Sequence, residues 1–223
     1  MTAVAKREAS VPDMVRTPAL SITAEDIALP RIYLGQFMSQ AVQEGLVKAG
    51  QIFSATGADD PDPTILWSSD GKGEFKDGVP IYVLTIKKGK SWTAGPGEEL
   101  QLFDYDDPAA PADAWVTYGY VVAIPALDDQ VPFKLLLTRT GKPAALQINT
   151  VILKQAAAGP AWLTKFVLTT APRENNKGKF FVPRVAVGEA VAAEVAIAET
   201  IGLALNSAAV ERPQSGATEQ PAI

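Results

Sequence analysis

Between Val79 and Val187 the apolar residues change period once and then change back, and few folds accommodate that order. Val79 to Trp92, VPIYVLTIKKGKSW, alternates β-branched and aromatic residues as a long strand does, with Tyr82, Leu84 and Ile86 expected on one side. Trp115 to Ile124 and Val131 to Thr140 alternate in the same way, and the short connection PALDDQ makes them a hairpin. At Thr140 the period lengthens. Pro143 falls in the first turn of a helix, where its missing N–H costs nothing. Ala144, Ile148, Ile152 and Ala156 then recur at i, i+4 with Val151 beside them, until Gly159-Pro160 stops the helix. Period two returns in WLTKFVLTT and GKFFVPRVAV, joined by PRENNKG, whose Asn176 and Gly178 suit a tight turn.

The flanks are simpler. LPRIYLGQ reads as a short strand, Ser39 caps a helical turn ended by Gly45, and GQIFSAT reads as a second strand. ADDPDP and SSDGKGEFKDG are loops by their Asp, Gly and Pro content, and LQLFDYD is a short strand entering an acidic loop. An alanine-rich helix with Val191, Val195, Ile201 and Leu205 is expected over residues 188–209. Residues 1–26 and 210–223 lack apolar periodicity and are expected to be disordered arms around a domain spanning 27–187. The fold class expected is mainly β (α+β). A helix between strands three and four of a five-stranded Greek-key barrel is the OB arrangement, with the C-terminal helix added. The sequence does not fix which strands make the five, so another antiparallel α+β domain fits the same order.

Charge bears on function. Val131 to Val187 holds nine basic side chains against one acid, Glu174, a local excess of eight positive charges in a chain whose total is −5. Trp162, Phe166, Phe180 and Phe181 lie among them. Cations interleaved with aromatics suit a single nucleic-acid strand, whose phosphates attract charge and whose unstacked bases present π-faces. Scattering over solvated faces is the alternative. The chain has no cysteine and no histidine. Disulfides, thiolate metal sites, and Ser-His or Cys-His nucleophile pairs are therefore excluded. No apolar run reaches the ~20 residues of a membrane span, and the N-terminal residues do not read as a signal peptide. A soluble, intracellular protein is expected.

Individual motifs add detail. Gly89-Lys90-Ser91 resembles the end of a phosphate loop, but the glycine required five positions earlier is Leu84. Lys87, Lys88, Lys90 and Trp92 instead read as a strand end, offering either nucleic-acid contacts or edge protection. Tyr118 and Tyr120 share one face of a strand, with Trp115 and Thr117 on the other. The tyrosines make either a stacking platform or core. Arg139 and Lys142 flank a helix start, which favours anions. The aspartates at 104, 106, 107 and 113, and those at 59, 60 and 62, lack calcium-loop spacing and read as solvated loops. On Lys179 to Val187, Phe180 shares a face with Arg184 and is expected to stack, while Phe181, aligned with Val185, is expected in the core.

The segments LPRIYLGQFMSQAVQEGLVKAGQIF and PFKLLLTRTGKPAALQINTVILKQAAAGPAWLTKFVLTTAPRENNKGKFFVPRV resemble tailed-phage single-stranded DNA-binding proteins of OB type, over residues 28–187. That resemblance implies a non-enzymatic coat for exposed single strands in phage replication or recombination, acting in the host cytoplasm. Implied partners are single-stranded DNA and phage replication or recombination proteins, with no cofactor, no metal and no membrane. The oligomeric state stays open, a homodimer being compatible. Such proteins commonly end in a strongly acidic tail, whereas the last 14 residues here hold only Glu211 and Glu219 against Arg212. The residues expected to meet the strand are Lys87, Lys88, Lys90, Trp92, Tyr118, Tyr120, Lys134, Arg139, Lys142, Lys165, Arg173, Lys177, Lys179, Phe180 and Arg184. The alternatives are a phage structural or scaffold-type protein without nucleic-acid binding, and a metal-dependent nuclease using the Asp104–Asp107 loop.

Overall fold

The computed structural model describes residues 29–57, 60–95, 100–128, 130–176 and 178–210, the side chains of 206–210 apart. The expected arm 1–26 and residues 211–223 of the other therefore lie outside the described residues, while Val210 ends a helix. Nine strands form one mixed sheet: β1 (Arg31–Leu34), β2 (Ile52–Ala55), β3 (Thr64–Trp67), β4 (Val79–Trp92), β5 (Gln101–Asp104), β6 (Trp115–Ala123), β7 (Phe133–Thr138), β8 (Lys165–Asn175) and β9 (Gly178–Val187). Helix α1 (Gln40–Gln43) joins β1 to β2, α2 (Lys142–Gln155) joins β7 to β8, and α3 (Ala192–Val210) follows β9. The sheet order is β3-β2-β1-β7-β6-β4-β8-β9, with β5 beside the C-terminal half of β4. All neighbours are antiparallel except β1 and β7. The mainly β expectation holds. Strand β3 was not expected: it lies between the two Asp/Gly/Pro-rich loops, and its four residues Thr64-Ile65-Leu66-Trp67 are too few to register as alternation.

The sheet is curled. Ile81 and Val83 of β4, Tyr120 and Val122 of β6, Leu135 of β7, Phe166 and Leu168 of β8 and Val185 of β9 share one core with Ile52 and Leu66. Helix α2 contributes Ala144, Ala145 and Ile148 to that core, as its i, i+4 pattern requires, with Ile152 partly buried against it and Ala156 exposed. A flat sheet would hold β9 about 24 Å from β1, five steps of ~4.8 Å. Instead Gln36, just past β1, reaches the main chain of Phe181 in β9. Its side-chain nitrogen donates to the Phe181 carbonyl at 2.8 Å, and its side-chain oxygen accepts from the Phe181 N–H at 3.0 Å. Thr170 Oγ1 donates to the Gly50 carbonyl at 2.7 Å. Gly50 must be glycine: its φ is +89°, and a Cβ there would stand 2.6 Å from the Phe181 ring. A side-chain amide thus occupies the free edge of β9, where Phe181 faces Pro172 across the ladder and Pro183 withholds a further donor.

Strand β4 departs from simple alternation. Its register against β6 slips between Val83 and Thr85, so Leu84 is an extra residue. Tyr82 and Leu84 pack outward against Ala123 of β6 and Ala198 of α3, whereas Ile86, expected on their side, pairs with core-facing Tyr120. Beyond the bulge, Lys87, Gly89 and Ser91 share the outer face with Thr117 and Gly119, and Lys88 and Lys90 lie on the inner one.

Candidate nucleic-acid interface

The expected strand-contacting residues divide into three groups. Lys134, Arg139, Lys142, Arg173, Lys179 and Arg184 are exposed, and none makes an ion pair among the described residues. Arg139, the first residue after β7, has φ +45°, a left-handed conformation costly for a residue with a Cβ. That twist sets its guanidinium 3.2 Å from the centroid of the Trp115 ring. The next residue, Thr140, lines a cleft of about 180 Å³ with Pro143, Arg173, Val182, Pro183 and Arg184. Arg173 lies directly opposite Phe180 across the β8–β9 ladder, and Thr169 opposite Arg184. Phe180 is half-buried on that outer face. Phe181 points the other way, onto Gly50 and the Phe37 ring, whose centroid is 5.7 Å away. The two phenylalanines face opposite sides of β9, as alternation requires, but both are half-buried, and Phe181 packs on Gly50 and Phe37 rather than in the main core where it was expected. On β7, Lys134 is the cross-strand partner of Arg31, a second exposed cation that composition did not single out.

A second group is engaged elsewhere. Lys87 pairs with Asp104 at 2.7 Å, both well exposed. Lys88 lies 3.4 Å from the centroid of the Tyr105 ring, and Lys90 5.8 Å from it. Trp92 donates its indole N–H to Asp113 at 3.1 Å. Since alternation along β4 puts Lys87 on one face and Lys88 and Lys90 on the other, these lysines do not form one patch. Lys177 lies outside the described residues.

The third group is corrected. Tyr120 is 2% exposed and buried in the core; its hydroxyl bonds the Ala145 carbonyl at 3.2 Å and Asn149 Oδ1 at 2.9 Å. Burial raises its phenol well above the ordinary value. Tyr118 packs against the same core, so the pair is not a stacking platform. Alternation did put both on one face, but that face is the inner one, under α2. Lys165 is likewise unavailable to a phosphate. Its ammonium lies 3.0 Å from Glu194 on α3, with the side chain only 18% exposed. Tyr82 donates to the same carboxylate at 2.5 Å. Burial opposes ionisation of Glu194, but the hydrogen bonds from Tyr82 and Lys165 and the lysine's charge outweigh it, and the carboxyl is held below its usual range. Trp162 packs against Gly202 of α3 in that outer cluster rather than facing solvent.

The missed aromatic is Trp115. Its place opposite the tyrosines was legible from alternation, but only the turn at Arg139 brings a cation over it. Among the described residues no cluster of carboxylates is arranged to hold a metal ion. Comparison with protein-family models, curated proteins and solved structures finds no match to this chain.

Proposed function

We propose that this chain is a non-enzymatic, sequence-tolerant binder of single-stranded DNA built on an OB-like barrel. The barrel reading takes β4, β6, β7, β8 and β9 as the five strands. Their order β7-β6-β4-β8-β9, with α2 between β7 and β8 and β1 alongside β7, supports that reading, because an OB barrel places its helix between the third and fourth strands. One observation carries the functional reading: the Arg139–Trp115 stack adjoins a cleft edged by Arg173 and Arg184, with Phe180 beside Arg173. Cations next to half-exposed aromatic rings match a backbone that needs neutralising and bases that need stacking. A role in phage replication or recombination belongs to the same proposal and rests on the resemblance in sequence.

The test is a salt series with a labelled oligonucleotide. If about five phosphates are neutralised, log affinity falls with log salt at a slope near −3.5, from about −0.7 per phosphate on single strands. A flat dependence refutes the reading. Absence of binding at low salt does so too, and favours a structural protein.

A further inference from the structure

The outer face of the sheet carries a trough of about 320 Å³ over β4, β5, β6 and β7. Its floor is Gly119, whose missing side chain leaves the cross-strand neighbours Lys87 and Leu136 standing as walls. Leu102 and Asp104 of β5 close the other side, and Thr117 marks the end nearest Trp115 and Arg139. A Cβ on Gly119 would make only ordinary contacts, 3.7 Å from the Lys87 carbonyl oxygen and 3.9 Å from the Leu136 side chain. The volume lies at the small end of the roughly 300–1,000 Å³ range of ligand sites. At the rim the Lys87 ammonium and the Asp104 carboxylate sit side by side, 2.7 Å apart and both more than two-thirds exposed.

We propose that this trough is a slot for one unpaired nucleobase, lying over Gly119 between Leu102 and Leu136, with Lys87 and Asp104 meeting its Watson–Crick edge. Each of the four bases offers a donor beside an acceptor on that edge: an amine or ring N–H next to a carbonyl or ring nitrogen. The carboxylate accepts from the first and the ammonium donates to the second. An exposed ion pair contributes little by itself, ~0–1 kcal/mol, so opening it for a base costs little. Because every base satisfies the pair, the slot is sequence-tolerant. Because the duplex uses the same edge for pairing, the slot admits only single strands. Lys134, on the same face of β7 two residues before Leu136, and Arg139, in the turn just past β7, flank it as candidates for the phosphates on either side.

This inference rests on the single-strand reading, and its test separates the two. Affinity is measured by fluorescence anisotropy for an oligothymidylate, for an abasic strand of equal length, and for a strand whose thymines are methylated at N3. N3 methylation keeps the stacking face and blocks the edge. For the wild type, both altered strands should bind about tenfold more weakly, within the range of a lost base contact. Gly119→Leu fills the slot, and its space and extended backbone let it fold. It should bind the unmodified and N3-methylated strands within about twofold of one another while keeping the salt slope, and its remaining weakness for the abasic strand reports the stacking elsewhere. Equal binding of the unmodified and N3-methylated strands by the wild type overturns the slot and leaves the single-strand reading intact. Full discrimination against the N3-methylated strand retained by Gly119→Leu does the same. Failure of the wild type to bind any strand overturns both.

Discussion

Replacing Gln36 tests whether one side chain closes the curled sheet. The Gln36 amide makes two hydrogen bonds to the main chain of Phe181, and Ser39 Oγ donates to the Gln36 carbonyl at 2.8 Å, steadying the turn that presents it. Gln36→Ala removes both bonds. At ~0.5–1.5 kcal/mol net for each, the loss is ~1–3 kcal/mol, toward the upper end if the freed Phe181 groups stay shielded from water. With a urea m-value near ~2 kcal/mol/M, a ~2 kcal/mol loss lowers the midpoint by about 1 M. Gln36→Glu is the sharper probe. It still accepts from the Phe181 N–H but sets a carboxylate oxygen against the Phe181 carbonyl, with no donor to offer, so it should recover less than half of the lost stability. Hydrogen exchange reports the seam directly: the Phe181 amide should lose protection in Gln36→Ala while those of β6 keep theirs. An unchanged midpoint together with a protected Phe181 amide would refute the closure argument.

Four other substitutions have outcomes set by the geometry. Phe181→Ala should cost ~2–3 kcal/mol of stability, below the ~3–5 of a fully buried phenylalanine, because its ring is only partly enclosed. Phe180→Ala should leave melting nearly unchanged and weaken strand binding by ~1–3 kcal/mol, and the reverse result would put the binding surface on the wrong face of β9. Glu194 has a depressed carboxyl, so its stabilisation of α3 docking is present above the unfolded value of ~4.3 and fades as pH falls through the lower folded value. The Trp162 indole N–H resonance should shift below about pH 4.3 in the wild type. In Glu194→Gln it should stay constant over that range, and an identical acid transition in both proteins would remove Glu194 as the cause. Arg139→Gly relieves the +45° φ but removes the cation over Trp115. It should hold melting within about 0.5 kcal/mol of the wild type and weaken binding to all sequences alike; unchanged affinity would exclude Arg139 from the interface.

Local pattern carried most of the elements. Period two marked β4, β6, β7, β8 and β9, and the i, i+4 spacing of Ala144 and Ile148 marked α2, because each element buries one face and its apolar residues must recur at the element's own period. The absence of histidine and cysteine, and the cations of residues 131–187, were likewise properties of the chain alone. Tertiary structure decided which face was which. The bulge at Leu84 reversed the facing of Ile86 and the lysines after it, since one inserted residue moves every later side chain to the other surface. Tyr120 became core because α2 folded over it, and Lys165 became a docking residue because α3 brought Glu194 to it. No local pattern announces that Gln36 meets Phe181, 145 positions away, or that Arg139 covers Trp115. Such contacts depend on where the curl of the whole sheet carries its edges, and that is set by the sum of many packing contacts between strands far apart in the sequence.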